Sequence, residues 1–192
     1  MNSAVVTGGA GLIGSNLCRA LLQRGVDVLC IDDFQTGRRR NIENLEGLRL
    51  LEHDVREPIA VAQQCDVVFH LAAPASPVFY QREPVGTLDT CILGTRHMLR
   101  FAETVGARFV LASTSEVYGE PRRHPQDEGY WGNVNPVGPR ACYDEGKRAA
   151  EAFTYEFGCA GLDVRIARIF NTYGPGLRPD DGRVVSNFIC QA

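Results

Sequence analysis

The sequence predicts an α/β fold, a doubly wound parallel sheet with helices on both of its faces. Three observations carry this. Short apolar runs alternate with stretches of helical periodicity from the first residues onward. The first run closes on a glycine-rich turn, Thr7-Gly8-Gly9-Ala10-Gly11-Leu12-Ile13-Gly14, that leads straight into a helical pattern. An acidic residue, Asp32, ends the second run at the distance from that turn that a two-strand, one-helix unit requires.

The elements follow in order. Ala4-Val5-Val6 is a short buried strand. Ile13, Leu17 and Leu21 recur every four residues and mark one helix face ending near Gly25. Strands follow at 26–31, 48–52 and 66–71, the last carrying Val67-Val68-Phe69. A long helix opens at Pro84 and places Leu88, Ile92, Thr95 and Leu99 on one face. A strand at 108–113, a helix marked by Ala149, Phe153 and Phe157, and a strand at 164–170 complete the alternation. Three segments break the rhythm. Residues 36–45, with Arg38-Arg39-Arg40, read as a solvated loop. Residues 120–140, rich in Pro, Gly, Asn and aromatics, are too long for a connector and read as a lid or binding segment. Residues 172–183 are similar, and a helix starts near Val184.

Composition narrows the class. Of 192 residues, 44% are hydrophobic and 22% charged, which suits one soluble domain and excludes a disordered tail. The net charge of −3 calls for neither nucleic acid nor an anionic membrane, and no apolar stretch approaches the length of a bilayer span. Seven cysteines, an odd number without a CxxC pair, read as buried thiols of a cytoplasmic protein. The four histidines show no zinc spacing, so no metal is expected.

At the cofactor end, glycines 8, 11 and 14 let the backbone approach a pyrophosphate, whose charge meets free N–H groups and the helix dipole. This is the Rossmann-like dinucleotide pattern. Asp32 accepts hydrogen bonds from an adenosine ribose and repels a 2′-phosphate, which favours NAD over NADP; Arg38 to Arg40 lie near enough to oppose that preference. Asp54 and Val55, after the third strand, are placed to meet the adenine, although Asp54 also suits a helix cap.

At the other end, Ser113-Thr114-Ser115-Glu116 leaves the fifth strand where the ligand crevice lies. Tyr143 and Lys147 stand four apart on one helix face. A free phenol, with a pKa of about 10, is too weakly acidic to serve as a base at neutral pH. A neighbouring ammonium and a cationic nicotinamide ring favour the phenolate.

Several strings carry a resemblance: residues 70–77 (HLAAPASP), 112–119 (ASTSEVYG), 135–148 (NPVGPRACYDEGKR), 168–175 (RIFNTYGP) and 181–188 (DGRVVSNF). With the glycine turn and the Tyr143–Lys147 pair, they resemble the extended short-chain dehydrogenase/reductases of the NAD-dependent epimerase/dehydratase type. Within these the chain is most similar to the UDP-glucuronic acid decarboxylases, over essentially its whole length. The resemblance implies a carboxy-lyase that turns UDP-glucuronate into UDP-xylose through a 4-keto intermediate, with NAD regenerated in each cycle. Tyr143 takes the C4 hydroxyl proton, Thr114 binds the same hydroxyl, and Lys147 holds the nicotinamide ribose and tunes Tyr143. Glu116 lies near C5 and C6, where the intermediate is reprotonated. It also implies Gly8, Gly11, Leu12, Ile13, Asp32, Asp54, Val55, Leu71 and Ala72 at the cofactor, Tyr80, Ser115, Asn171 and Arg183 at the nucleotide sugar, and a homodimer through helices of the dinucleotide domain.

Other readings stand beside it. Glu116 also suits a turn cap, Arg183 a surface charge, and Tyr80 simple packing. A nucleotide-sugar 4-epimerase or 4,6-dehydratase shares Tyr143, Lys147 and Thr114, though the dehydratases usually carry Asp where this chain has Ser115. A non-catalytic NAD-binding module is the third possibility. Relatives usually carry Asn in place of Cys91, and they continue beyond Ala192 with the rest of a substrate domain. Residues 1–171 are therefore expected to form the dinucleotide-binding domain and 172–192 the start of a partial substrate-binding region, in a chain that binds NAD without useful turnover.

Overall fold

A computed structural model describes residues 1–59 and 64–192. Six strands form one parallel sheet in the order β3-β2-β1-β4-β5-β6: β1 Ser3–Thr7, β2 Asp27–Asp32, β3 Arg49–Glu52, β4 Val67–His70, β5 Arg108–Thr114 and β6 Val164–Ile169. The order reverses between β1 and β4. At such a reversal a crevice lies beyond the carboxyl ends of the strands.

Both faces of the sheet centre are covered, and the strand pattern shows why. Ala4, Val6, Val28 and Cys30 pack under α1 (Leu12–Leu22) with Cys18 and Leu21. Val5, Leu29, Ile31, Val68 and Phe109 point the other way, onto Met98 and Leu99 of the helix at Thr95–Val105 and Ala150 of that at Ala141–Cys159. Strands buried on both sides read as continuous apolar runs, as β1 does. The bounds anticipated for the strands hold to within a residue or two at each end.

The long helix from Pro84 is not one regular helix. It comprises α3 (Pro84–Asp89), a π turn at Thr90–Gly94, and α4 (Thr95–Val105), after a single turn, α2 (Pro77–Tyr80). The π turn shifts the register, so the expected face of Leu88 and Ile92 is only partly buried, while Thr87, Thr90, Cys91 and Gly94 turn inward. Small residues there admit close neighbours. A Cβ at Gly94 would sit 2.8 Å from Val55 Cγ2, and one at Gly146 in α5 (Ala141–Cys159) 2.9 Å from Cys91 Cβ. The reading also missed α2, whose signal was Pro77 at the first helical position.

Residues 120–140 form an irregular segment pinned by Gly119 and Asn133, and α6 (Val184–Gln191) begins where expected. The cysteines are all free, but Cys159 and Cys190 are exposed rather than buried. Cys159 ends α5, and Cys190 lies on α6, whose Phe188 and Ile189 are also uncovered. Nor is 36–45 wholly solvated: Ile42 is buried in the cluster that holds Cys18 and Leu21, while Arg39 pairs with Glu52 at the surface.

Beneath the crevice lies a buried polar thread. His70 Nδ1 is 2.7 Å from Thr7 Oγ1 and its Nε2 is 3.2 Å from Thr95 Oγ1. Thr7 Oγ1 in turn accepts from Ala72 N. Burial, and then the Lys147 ammonium, push the His70 imidazole down to about 3, so it is neutral in the folded chain. The unfolded imidazole, near its ordinary value, takes up a proton below a pH of about 6.5, whereas the folded one does not. Stability attributable to His70 is therefore whole above that pH and lost as pH falls toward 3. Between pH 7 and 5 the loss should be about 2 kcal/mol. Urea unfolding at both pH values checks it, with His70→Gln expected to remove that part of the slope.

Candidate active site

A cavity of about 420 Å³ occupies the crevice, running from Asp32 and Gly37 past the glycine turn to Thr114, Tyr143 and Arg183. At its cofactor end two backbones approach closely. Gly8 has φ +68°, and a Cβ there would lie 2.8 Å from Ala72 N; one at Gly14 would lie 2.2 Å from Gly8 O. Gly11 precedes α1 without a side-chain cap, and Leu12 and Ile13 line the cavity at the positive end of that helix. Leu71 and Ala72 form the opposite wall. A helix N-terminus opening onto a crevice through glycines suits a pyrophosphate.

Asp32 is buried at the far end. Its Oδ2 accepts from Ala10 N and its Oδ1 from Phe34 N, each at 2.9 Å. Burial raises its pKa, and those two donors oppose the rise. Loop 36–41 lies directly on the carboxylate: a Cβ at Gly37 would come within 2.5 Å of Oδ1. Val55 lines the cavity, but Asp54 does not. It is held by Arg56, whose hydrogen bond keeps the Asp54 carboxyl below the usual range. A dinucleotide thus fits the glycine turn, Asp32, Val55 and the 71–72 wall, without Asp54 facing it.

At the reactive end, β5 delivers Thr114 and α5 delivers Tyr143 and Lys147. Lys147 is buried and its Nζ donates to the Ala112 carbonyl at 2.9 Å, fixing α5 against β5. Burial lowers its pKa. The Tyr143 ring stacks on Tyr80 at 5.1 Å, nearly parallel, and both are buried. Burial pushes the Tyr143 phenol well above its ordinary value, and the Cys91 thiol adds to this. The Thr114 hydroxyl and the Arg183 guanidinium pull it down. In the chain by itself burial dominates, so Tyr143 holds its proton and the expected tuning by Lys147 is not what decides its state. Cys91 packs against Gly146, which lies between Tyr143 and Lys147 on α5.

The other anticipated residues divide. Thr114 Oγ1 accepts from Glu116 N at 3.2 Å, opening a 3₁₀ turn, Ser115–Tyr118, that presents Ser115 and the Glu116 side chain to the cavity. Asn171 lines the cavity, and Arg183 does so while paired with the buried Asp181. Three features had not been singled out. Arg140 lines the cavity and forms an ion pair with Glu116. Ser76 Oγ donates to the Asp181 carbonyl, and Asn41 Nδ2 donates to Gly176 O at 3.1 Å. Their signal was present in the strings around Pro77, Arg140 and Asp181, but no local periodicity brings these segments together. Among the described residues no three His, Cys, Asp or Glu side chains gather as a metal site, and no helix is long and apolar enough to cross a membrane.

The family description "NAD dependent epimerase/dehydratase family" matches residues 4–192. The chain belongs to this family. Among curated relatives, UDP-glucuronic acid decarboxylase 1 of Arabidopsis thaliana is 58% identical over 97% of the chain, and its namesake in Xenopus tropicalis 54% over 98%. The chain spans only 43% and 45% of those two proteins. Solved structures agree on the fold. A UDP-galactose 4-epimerase superposes with a TM-score of 0.86 at 30% identity, covering 98% of this chain and 62% of that one. The Thermus thermophilus UDP-glucose 4-epimerase in complex with NAD gives 0.77 at 30%, covering 94% and 59%. The family match, the six-stranded parallel sheet and NAD as the family's cofactor agree with the reading of the glycine turn.

The close backbone approach makes a prediction. Gly8→Ala should lower the unfolding free energy by more than about 1 kcal/mol, from the left-handed backbone alone, with overlap on Ala72 added. Thermal or urea denaturation beside Gly25→Ala, where φ is also positive but nothing lies within 4 Å, isolates the overlap.

Proposed function

We propose that this chain carries the NAD-binding and proton-transfer part of a nucleotide-sugar decarboxylase that converts UDP-glucuronate to UDP-xylose through a 4-keto intermediate. One observation carries the reading: Tyr143, Thr114 and Glu116 share a cavity whose other end is a dinucleotide cradle. The names of relatives 51–58% identical favour decarboxylation over the 4-epimerisation named for solved structures near 30%. Residues 1–171 are read as the dinucleotide-binding domain and 172–192 as the start of the substrate-binding region. The protein is read as a cytoplasmic homodimer, supported by free cysteines and by Tyr155, 64% exposed on the outer face of α5.

NAD, held by the glycine turn, Asp32, Val55 and the 71–72 wall, would supply hydride-acceptor and hydride-donor chemistry at the sugar C4. The chain does the rest. Tyr143 takes the C4 hydroxyl proton once positive charge at the nicotinamide face offsets its burial. Thr114 orients the same hydroxyl, and Lys147, committed to Ala112, fixes the angle at which α5 presents Tyr143. Ser115 and Glu116 face C5 and C6, where a carboxylate is lost and a proton gained. Asn171, Arg183 and Tyr80 line the sugar nucleotide.

Two experiments test this. Calorimetry should show NAD binding at least about tenfold tighter than NADP, since a 2′-phosphate would meet the Asp32 carboxylate, and Asp32→Ala should narrow the gap. Equal affinities in the unaltered chain would mean that Arg38 to Arg40 override Asp32. Product analysis with UDP-glucuronate, in protein of the relatives' full length, distinguishes pentose, epimer and no reaction. Tyr143→Phe should retain NAD affinity and cut turnover about 10²–10⁴-fold. A Tyr143→Phe protein with unchanged turnover would remove Tyr143 from the reaction.

A further inference from the structure

Four arginine and lysine side chains line the cavity: Arg140, Lys147, Arg178 and Arg183. Three are fixed in place. Lys147 is buried on the Ala112 carbonyl, Arg183 is bidentate on Asp181, and Arg178 is bidentate on Asp180. Arg140 is differently placed. It caps α5 three residues before Tyr143, its side chain is 49% exposed, and its guanidinium pairs with Glu116 and lies 3.8 Å from Asp144. It also stands beside the Tyr80 phenol, whose ring covers Tyr143. This cation therefore sits between Glu116, which lines the cavity, and Asp144, which follows Tyr143 on α5.

A uronic acid entering here brings a third carboxylate. Beside Glu116 and Asp144, in a crevice walled by Tyr80 and Tyr143, like charges repel far more strongly than in water. A guanidinium has five donors in a planar fork and can hold two carboxylates at once, which an ammonium does less well. A neutral sugar carries no such charge and gains nothing from that fork. Resting on the reading of the site as one for nucleotide sugars, we propose that Arg140 is its specificity-determining cation: it receives the substrate's carboxylate beside Glu116 and so selects an acidic sugar over a neutral one.

UDP-glucuronate and UDP-xylose differ by that carboxylate alone, so their affinities for NAD-loaded protein of the relatives' full length, measured by calorimetry, read the proposal directly. Arg140→Gln should weaken UDP-glucuronate about tenfold or more and UDP-xylose less than about twofold, with NAD affinity unchanged as the check on folding. Arg140→Lys should fall between. Adding Glu116→Gln to Arg140→Gln should restore about threefold or more of the lost UDP-glucuronate affinity, because the uncompensated charge is gone; a merely structural role for Arg140 would not show this recovery. Equal loss of both nucleotides, or of neither, overturns the proposal while leaving the functional reading intact. If Arg140→Gln also loses NAD, an unchanged nucleotide ratio in Arg140→Lys overturns it instead. Unaltered protein of the relatives' full length that binds neither nucleotide overturns the functional reading, and with it the proposal that rests on it.

Discussion

At the reversal of strand order, the backbone of Gly8 lies against that of Leu71 and Ala72, too near for any side chain at position 8. That contact sets the width of the crevice, and with it the distance between the glycine turn and the opposite wall. The polar thread beneath holds it, since Thr7 bonds His70 from β1 and also receives the amide of Ala72. His70 must be uncharged there, because it is fully enclosed and Lys147 is a near cation. A structural histidine and the buried Lys147 are thus coupled electrostatically.

The second wall depends on small side chains. The π turn brings Thr90, Cys91 and Gly94 inward, and Gly146 lets α5 descend onto Cys91. The result places Lys147 on the Ala112 carbonyl and Tyr143 beside Thr114. Burial at this depth raises the phenol of Tyr143 and lowers the ammonium of Lys147, each toward its neutral form. Charge arriving with ligands therefore has a large effect on both, as low dielectric strengthens every nearby interaction.

A third constraint joins the two ends. Residues 175–182 are strapped across the cavity by Asn16 on Pro175, Asn41 on Gly176 and Ser76 on Asp181, and Arg178 lies 4.6 Å over the Phe79 ring. Segments that contact the cofactor cradle thereby also position Arg183. A change in the loop after β2 is consequently felt at Arg183, at the other end of the cavity.

The sequence by itself determined the sheet, the positions of its strands and helices, the glycine turn, Asp32, and the Tyr143–Lys147 pair. These are legible because alternation, helical period and turn chemistry are local, and one segment's pattern states its own role. Tertiary structure alone decided the rest. It turned Asp54 to Arg56 and away from the cavity, shifted the face expected of Leu88 and Ile92, and paired Arg140 with Glu116 across 24 residues of chain. It also made Tyr143 a buried phenol that keeps its proton. An ion pair between distant segments, a register shift from one widened turn and the loss of water around a side chain are all properties of what packs against what, and no local pattern encodes them.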